Sequence, residues 1–478
     1  WNLPRDFVDR SNVYSINQIQ VGKIQTVRVV VKKYNFPRIR NLPNKVMCED
    51  ETGKLDCIFF NSYEGYIKKI LPLNAKVTIS GKINLRLRGL LPAIITDDIE
   101  TWLVISNRSP KILNIQPESA YQLPGVLAIF TGEDLIQDGV LPIPMTLKYK
   151  RPGGLPALSE PYHALAQGVV RFLGQPVAIV IAESAASALE GGQCLEIEYE
   201  ELEAVTDLQQ AISPDAPRLC DELPDNIAAA QTEGDSEKVE KAFAKASHVT
   251  RMNLVNNRVV GSPLEPRALL CEIEPKSGNL VLHAMHQSLS RLKAVLCSVF
   301  QLEAEKLRII VRDIGGGFGT KVAVYPEDVL VVYAAKKLKR TVKWTSTRSE
   351  EFQASVHGRD QMNYAELAFD SSGKILALRL STLANCGAYL NNPALLIPLG
   401  IMPKVVSSVY HIPAVFIETR CVLTNTAPIG AYRGAGRPEG IYQLERLMDL
   451  AAREMAISPV TLRVKNMIRC ESMPYTTQ

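Results

Sequence analysis

The first hundred residues alternate between apolar and polar positions in short runs, a pattern that predicts β-strands rather than helices. The clearest runs cover residues 26–31, 45–50, 55–60 and 77–83. A turn sequence at residues 51–54 joins the second run to the third and predicts a hairpin. A helix-like pattern at residues 66–70 separates the last two runs. Short strands with one helix between them predict a small N-terminal β-barrel of the OB type.

Beyond residue 107, strand and helix patterns are mixed. An apolar run at residues 174–183 predicts a buried strand, and residues 184–192 and 194–202 predict a short helix and a further strand. Helices are predicted by apolar spacing and charge placement, and they cover residues 233–246, 291–300 and 326–338. The last of them has Pro326 at its start and Lys336 and Lys337 in its last turn. The whole chain therefore predicts an α+β multidomain protein.

Composition sets the class of protein. The chain has 478 residues, 46% of them hydrophobic, which is enough for about three domains. No apolar run approaches the roughly 20 residues that span a bilayer, so no membrane partner is predicted. The nine cysteines are spread singly without a CxxC pair, which argues against iron–sulfur and zinc sites. Unpaired cysteines of this kind predict a reduced, cytoplasmic protein.

Charge is distributed unevenly. Residues 1–100 contain 16 Lys and Arg against 10 Asp and Glu, whereas the rest of the chain contains 38 against 40. This asymmetry predicts two regions with different partners, and the basic region has the charge to bind nucleic-acid phosphates. A solvated basic face without a partner explains the same charge equally well.

Two glycine-rich segments carry the candidate chemistry. The first reads IGGGFGTK at residues 314–321, and the second reads GAYRGAGRPEG at residues 430–440. Glycine-rich loops expose backbone N–H groups to anions and let a flat ring lie against the chain. Phe318 lies between glycines, where a ring has little core to fill, and Arg433 precedes the small residues 434–436, which leave room for its guanidinium to reach oxygen atoms. Together the segments predict a pterin-type metal cofactor site, with ordinary surface turns as the alternative.

A third candidate is Gln287, which follows a predicted strand at residues 280–285. A buried Gln amide can donate a hydrogen bond to a metal-oxo oxygen, although a Gln by itself is more often a structural residue. The histidines other than His286, which precedes Gln287, show no HxH or HxxxH spacing and are interpreted as structural. No protein side chain is predicted to ligate a metal.

Contiguous motifs carry a family resemblance over residues 106–478. They include LPGVLAIFTGEDL, VRFLGQPVAIVIAE, LVNNRVVGSPLEPRA, IGGGFGTK, YPEDVLVVYAAKKL, HGRDQ and NTAPIGAYRGAGRPEG. This region resembles the molybdopterin-binding large subunit of the xanthine dehydrogenase/aldehyde oxidase family, close to the carbon-monoxide-dehydrogenase-like large subunits. The resemblance implies an α/β hammerhead domain at 108–220 and the first molybdopterin cofactor-binding domain at 230–478. It implies a molybdenum–molybdopterin cofactor, including its cytosine dinucleotide form.

The resemblance also implies roles for single residues. It places Gln287 at the molybdenum oxo group, Phe318 and Gly319 over the metal, and Arg433 in the active-site loop. The cofactor-binding set that it implies is Gln287, Gly316, Gly317, Phe318, Gly319 and Arg433.

Two further positions bear on the substrate. Ala435 lies where some members have a substrate-stacking aromatic, and Val322 lies where purine oxidisers have a substrate-binding Glu. Residues 434–436 lack the Cys of the carbon monoxide oxidisers. The resemblance therefore argues against carbon monoxide and xanthine, and implies hydroxylation of an aldehyde or N-heterocycle with water as the oxygen source.

The family's general base is a Glu of the second cofactor-binding domain, and that position would follow Gln478. The catalytic base is therefore unassigned, and an incomplete enzyme is expected. Iron–sulfur clusters and FAD are expected only on partners, an iron–sulfur small subunit and an FAD medium subunit.

The N-terminal region carries a different resemblance. Its motifs WNLPRDFVDR, VMCEDETGKLDCIFFN, YIKKILP and VTISGKI resemble the wedge domain of RecG-type helicases, an OB barrel that grips branched DNA. This resemblance covers residues 1–98, and residues 99–107 are interpreted as a junction. It leaves two alternatives to the hydroxylase. One is binding of branched or single-stranded DNA by residues 1–98, and the other is a non-functional fusion remnant.

Overall fold

The computed structural model describes residues 13–14, 24–35, 44–52, 54–59, 68, 71–82, 90–91, 99–105 and 110–476. The chain divides into two compact units, Trp1–Arg88 and Gly89–Gln478. The predicted domain boundaries at residues 98, 107, 220 and 230 stay predictions. No helix in the described part of the chain is long and apolar enough to cross a membrane.

The strands are numbered in chain order. They are β1 (Val13–Tyr14), β2 (Ile24–Asn35), β3 (Asn44–Glu49), β4 (Lys54–Phe59), β5 (Lys76–Lys82), β6 (Leu90–Leu91), β7 (Ile99–Ile105), β8 (Pro110–Gln116), β9 (Val126–Thr131), β10 (Pro176–Ala182), β11 (Glu196–Glu201), β12 (Ile227–Gly234), β13 (His248–Asn256), β14 (Val259–Val260), β15 (Ala268–Ile273), β16 (Leu280–Ala284), β17 (Leu307–Ile310), β18 (Val342–Thr345), β19 (His357–Gly358), β20 (Gln361–Phe369), β21 (Ile375–Gly387) and β22 (Val415–Leu423).

The α-helices follow the same convention. They are α1 (Glu118–Tyr121), α2 (Gly132–Gln137), α3 (Ala185–Gln193), α4 (Leu208–Ala211), α5 (Ser236–Phe243), α6 (Leu289–Phe300), α7 (Pro326–Leu338), α8 (Arg348–Gln353), α9 (Asn392–Leu395), α10 (Arg437–Glu454) and α11 (Pro459–Asn466).

The N-terminal unit contains the predicted strands. The four predicted runs overlap β2, β3, β4 and β5, and β3 pairs with β4 as the predicted hairpin requires. The long strand β2 pairs with β1, β3 and β5. Among the described residues no pairing joins β4 back to the other edge of the sheet, so no closed barrel is shown and the OB-type barrel stays a prediction. Except for Lys68, the predicted helix at 66–70 lies outside the described residues, and DNA binding by residues 1–98 stays a prediction.

The second unit is built around an eight-stranded sheet. Its order is β17-β16-β15-β18-β7-β10-β9, and β6 pairs with β7. Every residue of β10 is buried, as its apolar run predicts. Strand β7, which the sequence placed in a junction, lies between β18 and β10. The segments predicted as hammerhead and cofactor-binding domains therefore share one sheet.

Helix α7 is the central helix of this unit and begins and ends where predicted. Pro326 occupies its first turn, and the Asp328 carboxylate accepts a hydrogen bond from the N–H of Tyr325 at 2.8 Å. All residues from Pro326 to Ala335 are buried, including the charged Glu327 and Asp328, so this part of the helix is enclosed on every side rather than half-exposed. It packs with α6 in one hydrophobic core beside the eight-stranded sheet. This core fixes the segment that precedes α7, which contains the first glycine-rich loop.

A second sheet has the order β12-β22-β21-β20-β13. Helix α10 packs on one face through Leu444, Leu447 and Ala451, and α5 packs elsewhere on the sheet through Val239. The predicted helix at 233–246 begins later than expected, at Ser236, because residues 233 and 234 end β12. The Asp235 carboxylate then caps α5 by accepting from the N–H of Lys238 at 2.9 Å. The second glycine-rich loop lies between β22 and α10 and continues into the first turn of α10.

Candidate cofactor site

The first glycine-rich loop leaves β17 and turns sharply before α7. Gly316 and Gly319 have φ angles of 92° and 98°, which favour glycine. Phe318 also has a positive φ, 50°, and its ring is 43% exposed. A large ring held at the surface by a left-handed backbone is unusual, because it contributes little to the core. The loop therefore presents Phe318 to the outside, as its glycine neighbours suggested.

An ion pair between a buried lysine and a partly exposed glutamate anchors this loop. The Lys321 side chain is fully buried, and its Nζ donates to Oε2 of Glu265 at 2.9 Å. The same carboxylate oxygen accepts from the N–H of Gly315 at 2.6 Å. Burial raises the pKa of Glu265, but the Lys321 and Gly315 hydrogen bonds outweigh it and leave the pKa below its ordinary value. Lys321 is thus committed to holding the loop rather than to a ligand.

Gln287 lies against the inner side of the loop. Its side-chain Oε1 accepts from the N–H of Gly319 at 3.0 Å, and its own N–H donates to the carbonyl of Lys321 at 2.7 Å. A Cβ at Gly317 would lie 2.4 Å from the same Oε1, so a larger residue there would displace the Gln287 side chain. Gln287 is exposed rather than buried, which differs from the sequence expectation. Its Nε2 has no hydrogen-bond partner among the described residues and stays free to donate outward.

The preceding residue, His286, fixes this position. Its ring is buried, and its Nδ1 accepts from the N–H of Ser288 at 2.9 Å while Nε2 faces the carbonyl of Ala323 at 3.1 Å. The proton therefore belongs on Nε2, and the ring is neutral. Burial lowers the pKa of His286, which favours the same state. His286 therefore connects the segment after β16 to Ala323, just beyond the first loop, and this contact fixes the backbone of the adjacent Gln287.

The second glycine-rich loop meets the first one directly. The N–H of Arg433 donates to the carbonyl of Phe318 at 2.9 Å. A Cβ at Gly319 would lie 2.5 Å from the carbonyl oxygen of Ala431, so the two backbones are in close contact. Arg433 is exposed, and its guanidinium has no partner within the described residues. The fold thus brings Gln287, Phe318 and Arg433 to one rim, although more than a hundred residues separate the two loops.

Residues 219–467 match the family described as "Molybdopterin cofactor-binding domain", and residues 101–203 match "Aldehyde oxidase and xanthine dehydrogenase, a/b hammerhead domain". The chain belongs to the molybdopterin-dependent oxidoreductases of the xanthine dehydrogenase type. The hammerhead match includes most of β7, the strand assigned from sequence to a junction.

Individual relatives agree with this family. The chain is 33% identical to the carbon monoxide dehydrogenase large chain of Hydrogenophaga pseudoflava over 385 residues, which cover 77% of this chain and 46% of the relative. It is 33% identical to the nicotine 6-hydroxylase large subunit of Paenarthrobacter nicotinovorans over 379 residues, 77% of this chain and 45% of the relative. The chain therefore spans about half the length of these relatives.

Solved structures share the fold as well. The crystal structure of quinoline 2-oxidoreductase from Pseudomonas putida 86 superposes with a TM-score of 0.74 at 32% identity, over 80% of this chain and 48% of that one. A copper- and molybdenum-containing carbon monoxide dehydrogenase superposes with a TM-score of 0.71 at 29% identity, over 80% of this chain and 48% of that one.

The rim residues of this oxidoreductase-family chain fit an anionic, oxygen-rich cofactor. The N–H groups of Gly317 and Phe318 have no acceptor in the described part of the chain, and the same is true of Gln287 Nε2 and the Arg433 guanidinium. Four sets of donors on Gln287 and the two loops are therefore unpaired among the described residues. The nearby carboxylate, Glu265, is already neutralised by Lys321. Donors without a competing free acceptor suit the phosphate and oxo oxygens of a molybdenum–pterin cofactor.

The two predicted substrate positions flank this rim. Val322 is half-buried and follows the buried Lys321, and its N–H donates to the carbonyl of Gly319 at 3.1 Å. Ala435 has a φ of 21° between Gly434 and Gly436, which also have positive φ angles. Both side chains are small and apolar, so neither offers a charge or a hydrogen bond to a substrate. Their part in a substrate pocket stays a prediction.

Sequence reasoning missed the buried charge cluster beneath the site. The Arg267 guanidinium donates to both carboxylate oxygens of Glu327 at 3.2 Å and to Glu351 at 3.1 Å. It also stacks 3.7 Å from the centre of the Tyr325 ring. Burial raises the pKa of Asp328 in the same cluster to about 7. The only sequence signal was a concentration of charges, at residues 327, 328, 350 and 351, beside apolar runs.

Replacing Gly319 with alanine is expected to destabilise the second unit by about 3 kcal/mol, because strain at positive φ adds to a clash with the Ala431 carbonyl. Gly278→Ala is the matched control, because Gly278 has a φ of 70° but no atom within 4 Å of the added Cβ. It should cost only the strain, about 1 kcal/mol. Urea denaturation of both variants checks the difference, and equal losses would contradict the close contact between the loops.

Proposed function

We propose that this chain is part of a molybdenum hydroxylase large subunit, and that its two glycine-rich loops hold one side of the molybdenum–molybdopterin cofactor. The complete enzyme hydroxylates an aldehyde or N-heterocycle with water as the oxygen source. The observation that carries the proposal is the convergence of Gln287, Phe318 and Arg433 on one rim around Gly319. When bound, the cofactor supplies the two-electron redox chemistry that protein side chains lack.

Each rim residue has a defined part in this proposal. Gln287 would help to hold the cofactor by donating through Nε2 to one of its oxygens, while its Oε1 accepts from the N–H of Gly319. The Arg433 guanidinium stabilises negative charge that develops on the substrate or cofactor oxygens. The exposed Phe318 ring would cover the flat ring system of the cofactor. The general base is expected on a Glu of the second cofactor-binding domain, and no residue of this chain is assigned that role.

The substrate class is inferred from what the rim lacks. Val322 and Ala435 provide no carboxylate or thiol, so a purine-binding Glu and a Cys of the carbon monoxide oxidisers are both missing at these positions. Relatives are named as a nicotine 6-hydroxylase and a quinoline 2-oxidoreductase, and both of these substrates are N-heterocycles. The small apolar side chains of Val322 and Ala435, with the cationic Arg433, are compatible with a flat heterocycle or an aldehyde. We infer the cytosine dinucleotide form of the cofactor, with iron–sulfur and FAD subunits as partners.

Cofactor content tests the proposal directly. The full chain is produced in a host that makes the molybdenum cofactor, and molybdenum is measured by mass spectrometry with pterin measured by fluorescence after oxidation. We expect both in the purified protein, and expect Gln287→Ala to lower both, since it removes a free donor and the support of Gly319. Arg312→Gln, at an exposed position before the loop, is the control and should retain both. Folded protein with neither molybdenum nor pterin would favour the fusion-remnant alternative.

A further inference from the structure

Two consecutive residues with side chains adopt left-handed backbone conformations beside the second loop. Arg359 has a φ of 64° and Asp360 has a φ of 63°. This region of conformational space is unfavourable for residues with a Cβ, and two in succession persist only where surrounding contacts hold them. The segment passes directly beneath Tyr432, since a Cβ at Gly358 would lie 2.3 Å from the Tyr432 Cβ. The strain therefore lies next to Arg433.

The strained backbone directs the Arg359 side chain to the backbone of Arg433. Its Nη2 donates to the carbonyl of Arg433 at 2.9 Å, and its Nη1 donates to the carbonyl of Tyr432 at 3.3 Å. Nη1 also donates to Oε1 of Glu439 at 3.1 Å, where the Glu439 side chain is 1% exposed. The guanidinium lies 5.0 Å from the centre of the Tyr432 ring. One side chain thus holds both peptide carbonyls that flank the Arg433 side chain.

A second arginine fixes the strained segment from the other side. The Asp360 carboxylate oxygen Oδ2 accepts from Nε of Arg258 at 2.7 Å and from Nδ2 of Asn385 at 3.0 Å. Arg258 also donates through Nη1 to the carbonyl of Ala427 at 2.9 Å and through Nη2 to the Thr426 hydroxyl at 2.6 Å. These contacts link the Arg359 segment to Thr426 and Ala427, which precede the second loop in the chain.

We propose that Arg359 is a positioning residue for Arg433. Arg359 fixes the carbonyls on both sides of Arg433, and Phe318 accepts from the N–H of Arg433, so the whole Arg433 backbone is bound. The Arg433 guanidinium, which has no partner of its own in the described chain, is then presented from a rigid backbone. The consequence for catalysis rests on the proposed function, whereas the rigidity of the loop does not.

Hydrogen–deuterium exchange tests the rigidity without the cofactor. Arg359→Gln removes the charged fork, and we expect amides in residues 430–436 to exchange at least about tenfold faster, with local opening confined to this loop and to its contact at Phe318. Arg359→Lys keeps the charge but cannot bind two carbonyls in the same planar geometry, so it should fall between the wild type and Arg359→Gln. The control is Arg251→Gln, which breaks an Arg–Glu pair on the second sheet without a contact to either loop. Unchanged exchange in both Arg359 variants would overturn the proposal.

A double-mutant cycle tests the action through Arg433. In the complete cofactor-loaded enzyme, whose large subunit includes the second cofactor-binding domain, Arg359→Gln should lower kcat/KM mainly through kcat, and the loss should disappear in the Arg433→Gln background. Equal losses in both backgrounds would show that Arg359 does not act through Arg433. If the protein carries no molybdenum, the proposed function fails, and the exchange experiment still decides whether Arg359 fixes the loop.

Discussion

Replacing Arg267 with methionine is expected to lower the free energy of unfolding by about 3–5 kcal/mol, because two buried carboxylates would lose their cationic partner. Arg267 and Glu327 have side chains that are 6% and 3% exposed, and Glu351 is 1% exposed. Water cannot replace the guanidinium at such depth. Methionine keeps most of the side-chain volume, so the loss reports the unpaired charges rather than a cavity.

Arg251→Met is the matched control for this loss. Arg251 also pairs with a buried Glu, Glu366, at 2.8 Å, but its own side chain is 56% exposed and Arg379 contacts the same carboxylate. The exposed pair should contribute at most about 1 kcal/mol. Urea denaturation followed by circular dichroism measures both variants. Equal losses would mean that burial of the Arg267 cluster does not determine its contribution.

The pH dependence of the Arg267 variant has a defined sign. In the wild type, burial raises the pKa of Glu351. Arg267 acts in the opposite direction and helps to bring the pKa below its ordinary value. This contribution is therefore present above the unfolded-state pKa and is lost as the pH falls through the folded-state pKa. Without Arg267, burial dominates and the pKa rises above its unfolded value. The variant should then recover stability relative to the wild type as the pH falls toward the unfolded-state pKa of Glu351.

Local signals made helix α7 and the two loops predictable. Pro326 at the helix start, acidic residues in the first turn and lysines in the last act over neighbouring residues, and the helix has the predicted bounds. Strand β7 was missed because a strand's place in a sheet depends on distant partners, here β18 and β10. The late start of α5 reflects the same effect, since pairing with β22 keeps residues 233 and 234 extended.

The candidate site was predictable in its parts but not in its contacts. The glycine-rich segments predicted a role for Phe318 and Arg433, and the family resemblance implied one for Gln287. No local pattern reveals that the Arg433 N–H reaches the Phe318 carbonyl, or that Gln287 is exposed while its Oε1 supports Gly319. The role of Arg359 could not be predicted from the sequence for a further reason. A left-handed backbone at Arg359 has no sequence signature of the kind that glycine provides, and tertiary contacts impose it.

Arg433→Gln is expected to lower kcat/KM of the cofactor-loaded enzyme about 100-fold, the loss that follows removal of one preorganised donor from a site of developing charge. Glutamine keeps a polar side chain and leaves the backbone contacts of Arg433 to Phe318 and Arg359 in place. The molybdenum content should therefore stay close to that of the wild type.

Steady-state kinetics with an N-heterocycle or aldehyde substrate, together with metal analysis, checks this prediction. Arg312→Gln removes an equally exposed arginine before the first loop and should change neither quantity. A loss of molybdenum in parallel with activity would assign Arg433 to cofactor binding rather than to the reacting oxygen. Retained activity with retained molybdenum would mean that the exposed guanidinium is a solvated surface charge, since an arginine that stabilises the transition state cannot be removed without lowering kcat.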